Sequence, residues 1–178
     1  VIDYAKENPG KLTLSGSGKG TANHLAQIRF DQMAGITTTY VAFKGTGKAV
    51  TALLGDQVMA EWGYTSVGAA HEGKVRLLAV AMEERHPKFP DVPTFKELGF
   101  DLVGGAYRGI AVPDSTPEEV QSQLSEMIGK INADPDFRAR MENDGMALLD
   151  IDRAGYQAFI DKQAEAYIAA AREAGVIE

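Results

Sequence analysis

Residues 15–21, Ser-Gly-Ser-Gly-Lys-Gly-Thr, set three glycines at alternate positions among two serines, a threonine and a lysine. They follow a strand-like stretch, residues 11–14 (KLTL), and open a helix-like one at Thr21. Gly16, Gly18 and Gly20 let the backbone take left-handed angles and approach a ligand closely. The helix that follows leaves unpaired N–H groups and the positive end of its dipole facing the loop. A carboxylate or phosphate would sit there without a basic side chain. The expected cradle is Ser15, Gly16, Ser17, Gly18, Gly20, Thr21 and Ala22. The competing reading is a tight strand-to-helix turn with no ligand.

Nucleotide motifs do not fit. A Walker A loop requires Gly-Lys-Ser/Thr, but Lys19 is followed by Gly20 and Thr13 stands where the first glycine should be. The spacing is Gly-x-Gly-x-Gly rather than the dinucleotide Gly-x-Gly-x-x-Gly.

Arg108 lies inside an apolar run, residues 107–112 (YRGIAV). It is a bidentate carboxylate clamp on one reading and a solvent-facing residue of an alternating strand on the other, since burying it unpaired is costly. Trp62 and Tyr64 fall at the end of an expected strand, residues 58–62, where ligands gather in open α/β sheets; packing in the core or between lobes is the competing role. Lys44 either adds charge near the ligand or is a solvated turn residue, and Thr21 either donates to the ligand or caps its helix. His24, His71 and His86 are scattered and cysteine is absent, so no metal site is expected. Gly16-Ser17-Gly18 is not the Gly-x-Ser-x-Gly elbow of hydrolases, and no acid pair is marked by spacing. No catalytic residue and no cofactor follow.

The 178 residues suffice for one good core or two small lobes, and 44% hydrophobic with 24% charged residues is a globular balance. A net charge of −7 argues against nucleic acid as partner. No apolar run has the length of a membrane span. Residues 21–34 read as a helix with Ala22, Leu25, Ala26, Phe30 and Met33 on its packed face and Gly35 as its stop. Residues 37–43 (TTTYVAF) read as a strand, residues 44–47 as a second glycine turn, and residues 48–54 as a helix ended by Gly55. A strand at 58–62, a short helix at 65–71 and a doubly buried strand at 75–81 (VRLLAVA) complete parallel βαβ units. Thr94 to Glu97 is a capping box opening a short helix, and a strand is expected near Leu102. Beyond it come a strand at 107–112, a helix from Thr116-Pro117 to about 132, a helix from Asp134-Pro135 to near 145, a strand at 147–149 and a long helix capped by Asp152. The acidic stretches 118–126 and 165–178 read as solvated faces.

In this order the blocks YAKENPGKLTLSGSGKGTANHLA, YVAFKGTGKAVTALLGDQV, VRLLAVAMEERHPKFPDVPTFKELGF and YRGIAVPDSTPEEV resemble the tripartite tricarboxylate transporter substrate-binding proteins, the Bug or TctC family. The resemblance implies an α/β periplasmic-binding-protein-like fold (type II) of two lobes, each a parallel-dominated sheet flanked by helices. It implies a periplasmic receptor, not an enzyme, that closes on a small carboxylate and delivers it to the membrane permease subunits. The seven cradle residues match the family's second-lobe loop. Gly63 stands where the family often carries an aspartate, which favours a plain di- or tricarboxylate over an amino acid. The family's proline-glycine-glycine loop of lobe one has no counterpart, so residues 1–105 are expected to form the second lobe and residues 106–178 an incomplete return into lobe one. A fragment of a longer chain, capable of self-association, is therefore expected. A carboxylate-sensing regulatory domain of the same fold is the alternative function.

Overall fold

The computed structural model describes residues 1–173, 175 and 177. Leu12 and Leu14 alternate with Ser15 across the first strand, β1 (Thr13–Gly16), and all three are buried. A strand that is covered on both faces requires neighbours, and β1 has two. It pairs in parallel with β2 (Thr39–Ala42) and β3 (Ala60–Glu61), giving the order β2-β1-β3. The register sets Ser15 opposite Val41 on one side and Glu61 on the other.

The crossovers are helical. After α1 (Ile2–Glu7), the chain runs through β1 into α2 (Ala22–Ala34), and from β2 into α3 (Thr46–Leu54). Gly35 ends α2 in the left-handed region, φ 61°, as its position predicts. Gly55 ends α3, but the left-handed residue there is Asp56, φ 54°. From β3 the chain enters α4 (Thr65–Ala70). In a parallel sheet these crossovers bring the starts of α2, α3 and α4 to one edge, the C-terminal ends of the strands.

The main core joins Ala5, Leu12, Leu14, Phe30, Ile36 and Leu102. Phe30 is its hub, with Trp62, Phe95 and Phe100 at ring-centroid distances of 5.3–5.7 Å. One face of α2 is more polar than its apolar spacing predicts. Asn23 and Gln27 are buried while Met33 is 42% exposed. Gln27 and Thr38 both hydrogen-bond the Asp31 carboxylate, fastening the end of α2 to the start of β2.

The second half is helical: α5 (Glu118–Ala133), α6 (Pro135–Asn143) and α7 (Arg153–Glu173). Asp134 caps α6 through the Phe137 amide at 2.9 Å, and the Asp152 carboxylate accepts from the Gly155 amide at 2.9 Å, both as expected. Ala170 and Ala171 of α7 pack against Leu25 of α2. Tyr156, Ile160 and Ile168 of α7 are exposed. Glu178, part of an expected solvated face, lies outside the described residues.

Four expected strands do not form. Residues 75–81 make no ladder: Val75 bridges Glu72, Val80 bridges Thr94 and the Ala81 carbonyl accepts from the Gly104 amide at 3.1 Å, and Arg76 and Leu78 are exposed rather than buried. Residues near Leu102, 107–112 and 147–149 are irregular. The reason is common to them: strand propensity becomes a strand only where a neighbour accepts a continuous ladder, and among the described residues the pairing of these segments stops at isolated bridges. The capping box at 94–97 does form, with Thr94 and Glu97 exchanging amide hydrogen bonds at 2.7 and 3.1 Å, but Gly99 at φ 88° stops it after one turn. Helix α5 begins at Glu118 with Pro117 as its cap residue, and Thr116 instead offers its carbonyl to Gln121.

Leu102 is 1% exposed although it lies in irregular chain. Leu102→Ala is expected to cost about 2–5 kcal/mol through the cavity it leaves, read as a lower midpoint in urea unfolding followed by far-UV circular dichroism.

Candidate functional site

The loop between β1 and α2 is held by its own hydroxyls. Thr21 is the cap residue of α2, but its side chain does not cap the helix. It turns back and donates to the Gly18 carbonyl at 2.7 Å, while Ser17 Oγ lies 2.9 Å from Thr21 Oγ1 and also within hydrogen-bond distance of Asn23 Oδ1. The Asn23 amide then donates to the Trp62 carbonyl, tying the start of α2 to the end of β3. Gly20, at φ 75°, donates its N–H to His24 Nδ1 at 3.1 Å. Burial, together with the charge of Lys19, holds the His24 imidazole below its ordinary range, which suits an acceptor nitrogen.

The consequence is electrostatic. Among the described residues, no side chain or carbonyl takes the N–H groups of Ala22, Asn23 and His24 in the first turn of α2, nor those of Gly18 and Lys19. These donors, with the positive end of a 13-residue helix behind them, form a site for negative charge.

Gly16 has a steric role rather than a conformational one. A Cβ there would run into the Tyr40 ring, 2.9 Å from its Cζ, and onto the hydroxyl. That hydroxyl donates to the Ser17 carbonyl, so Tyr40 braces the loop from β2. Ser15 is fully buried, its hydroxyl 3.4 Å from the Ala49 and Ala60 carbonyls, so it anchors the loop rather than facing it.

The other expected residues divide. Trp62 is half-buried in the aromatic core, stacked on Phe95 at 5.6 Å, with a buried indole N–H that has no acceptor. Tyr64 is the cap residue of α4. Arg108 is exposed in irregular chain, with no ion pair or hydrogen bond among the described residues. Lys44 is an exposed turn residue before α3, whose cap residue Gly45, φ 96°, also leaves the helix start without a side-chain cap. An open groove of about 1990 Å³ runs between this sheet edge and α5–α7; Ala22, Asn23, Glu61, Trp62, Tyr64 and Arg108 all line it.

Three residues of the site escape the sequence reading. Asn23 and Tyr40 brace the loop, and only a polar residue two positions after an expected cap threonine hints at Asn23. Glu61 ends β3 with one carboxylate oxygen buried and unpartnered, and burial raises its pKa to about 7. Nothing in the local pattern marks it.

The sequence pattern of the family described as "Tripartite tricarboxylate transporter family receptor" matches residues 1–175. A UPF0065 protein from the gbd 5′ region of Cupriavidus necator is 35% identical over 139 residues, 77% of this chain and 42% of that protein. The periplasmic binding protein BugD is 30% identical, with a TM-score of 0.78 over 98% of this chain and 60% of BugD. An R. palustris protein solved with adipate shares the fold at 21% identity, with a TM-score of 0.82 over 98% of this chain and 59% of its own. The chain thus spans less than half the length of the curated relatives it matches and about 60% of the solved ones. The fold is that of the periplasmic binding proteins.

Gly16→Ala is expected to destabilise the chain by about 1–3 kcal/mol through overpacking against Tyr40. Paired with Tyr40→Phe the two costs should be less than additive, because the truncated ring relieves part of the clash; additivity in a double-mutant cycle of chemical unfolding would contradict the bracing.

Proposed function

The chain belongs to the tripartite tricarboxylate transporter receptor family, and from that premise we propose that it captures a small organic carboxylate, a di- or tricarboxylate before an amino acid. The observation that carries this reading is the unfilled first turn of α2. Its hydroxyl neighbours, Ser17 and Thr21, satisfy each other and Gly18 instead of the helix amides, which leaves backbone donors for an anion in an acidic protein of net charge −7. Backbone N–H groups hold a carboxylate without the desolvation cost of burying a lysine or arginine.

In this proposal the loop of residues 16–22, anchored by the buried Ser15, receives one carboxylate. Arg108, unpaired and on the same groove, closes on the other as a bidentate clamp, and Trp62 and Tyr64 wall the ligand between them. Residues 1–105 act as one ligand-binding lobe and residues 106–178 as part of the facing one, and hinge closure over the ligand presents a surface to the permease subunits. The compartment is the periplasm, consistent with relatives described as periplasmic. No helix among the described residues is long and apolar enough to cross a membrane. The role is that of a receptor, with no catalytic residue assigned.

Thermal-shift measurements with citrate, succinate, benzoate and glutamate test the reading. A di- or tricarboxylate should raise the melting temperature in a concentration-dependent way, since a ligand of the native state stabilises it by about 2.7 kcal/mol at a hundredfold excess over Kd. The variant Ala22→Pro isolates the helix start. Proline is tolerated at the first helical position and removes only its N–H, and Thr21, at φ −82° and ψ 168°, already has the extended backbone that precedes proline. Its folding stability should be unchanged while its carboxylate affinity falls about tenfold or more, the loss of one hydrogen bond to a charged group. Unchanged affinity would remove the α2 N-terminus from the site.

A further inference from the structure

Glu61 is the charged side chain at this sheet edge that the account so far leaves without a task. It stands beside Ser15 in the β1–β3 register, one strand spacing of about 4.8 Å from the residue that opens the loop. Its carboxylate folds toward the following turn, where a Cβ on Gly63 would lie 3.3 Å from Oε1. Oε1 is buried with no hydrogen-bond partner, yet the residue lines the groove. A half-buried carboxylate oxygen with no hydrogen-bond partner among the described residues is an incomplete arrangement, and the residue faces the groove from which a partner can come.

The surroundings decide which partner. Thr13–Gly16 of β1 carries no titratable side chain, and α4 carries none. From α3 comes Lys48, which is exposed and makes no ion pair with Glu61. From β2 comes Tyr40, the group whose ionisation Glu61 disfavours; its hydroxyl is itself pushed up by burial. Tyr64, close enough to Tyr40 to act on it, follows on Glu61's own segment. Lys48 is the one cation of this set and forms no ion pair with Glu61, so burial acts on Glu61 and favours its neutral form. An anion bound at this edge favours the neutral form further, because like charges disfavour ionisation.

Resting on the carboxylate-capture reading, we propose that Glu61 is a specificity-determining residue that enters the complex protonated and donates a hydrogen bond to a carboxylate of the bound acid. The proton comes from solvent: the ionised side chain, one proton and the dianion combine to give a neutral carboxylic acid bonded to the dianion. No covalent bond changes and no redox partner is needed. Capture then takes up one proton wherever the free protein holds Glu61 ionised, and the site discriminates against ligands at alkaline pH. It also selects a ligand that presents an acceptor, rather than an ammonium, beside β3.

Sign follows from linkage. The free group is half-ionised near pH 7, so near pH 6 it is largely neutral and its ionisation no longer opposes binding. Above pH 7 affinity should fall by up to tenfold per pH unit. Calorimetric titration with succinate, from pH 5.5 to 8.5 and in two buffers of different ionisation enthalpy at pH 8, reads both the affinity and the proton uptake. The expected result is a fall above pH 7 with close to one proton taken up per succinate. Glu61→Gln, which keeps a donor but no titration, should bind with a flat profile and no uptake. Succinate binding that is flat with pH in the wild type, without uptake, overturns the inference and leaves carboxylate capture standing. Tighter binding of glutamate as pH rises, with succinate silent, overturns it in favour of an ionised Glu61 holding an ammonium. Silence toward every acid at every pH overturns the capture reading and this inference together. A carboxyl ¹³C titration of the wild type needs no variant: a Glu61 midpoint near 7 that moves upward with succinate supports the proposal, and one near the ordinary 4.5 contradicts it.

Discussion

The direction of one hydroxyl governs the site. A threonine before a helix ordinarily folds its oxygen onto the second or third amide and satisfies it. Thr21 donates instead to the Gly18 carbonyl, with Ser17 as its own donor. The loop is thereby closed on itself, and the polarity of α2 stays directed outward. Everything nearby maintains that choice: Tyr40 fills the space a side chain at position 16 would need, and Asn23 binds the helix start to the Trp62 carbonyl.

Parallel pairing extends the effect from one loop to an edge. Because β1, β2 and β3 point the same way, the starts of three helices meet at the same end of the sheet. None of α2, α3 or α4 has a side-chain cap. Glu61 is set into this edge with no ion pair among the described residues, and burial raises its pKa to about 7. The groove beyond, at about 1990 Å³, exceeds the roughly 300–1,000 Å³ of a small-molecule pocket. Its lining includes Leu124 and Ile128 of α5 and Phe159 and Ile160 of α7, apolar residues that their helical spacing prepares for burial.

Local signals were legible wherever the interaction they report is itself local. The glycine loop, the left-handed Gly35, the Asp134 and Asp152 caps and the capping box at 94–97 each close within a few residues, and each is found where the sequence places it. The strands at 75–81 and 107–112 were not legible in the same way. Their apolar composition is real, but a strand is completed by a neighbour far away in sequence, and composition carries no information about whether one is there. The same limit hid Tyr40, Asn23 and Glu61. What each does depends on a partner 20 to 50 residues away, and Trp62 shows the converse: an aromatic at a strand end whose position suggests a ligand wall is largely occupied by Phe30 and Phe95.

The central claim is that an anion is bound by backbone N–H groups at the loop and the first turn of α2. The most direct measurement is the amide ¹H–¹⁵N spectrum of the chain during a titration with a dicarboxylate. The account predicts downfield proton shifts concentrated on Gly18, Lys19, Ala22, Asn23 and His24, saturating together, with little change at the amides of α5 and α6. A saturable binding curve whose shifts fall elsewhere and leave these five amides unmoved would contradict it.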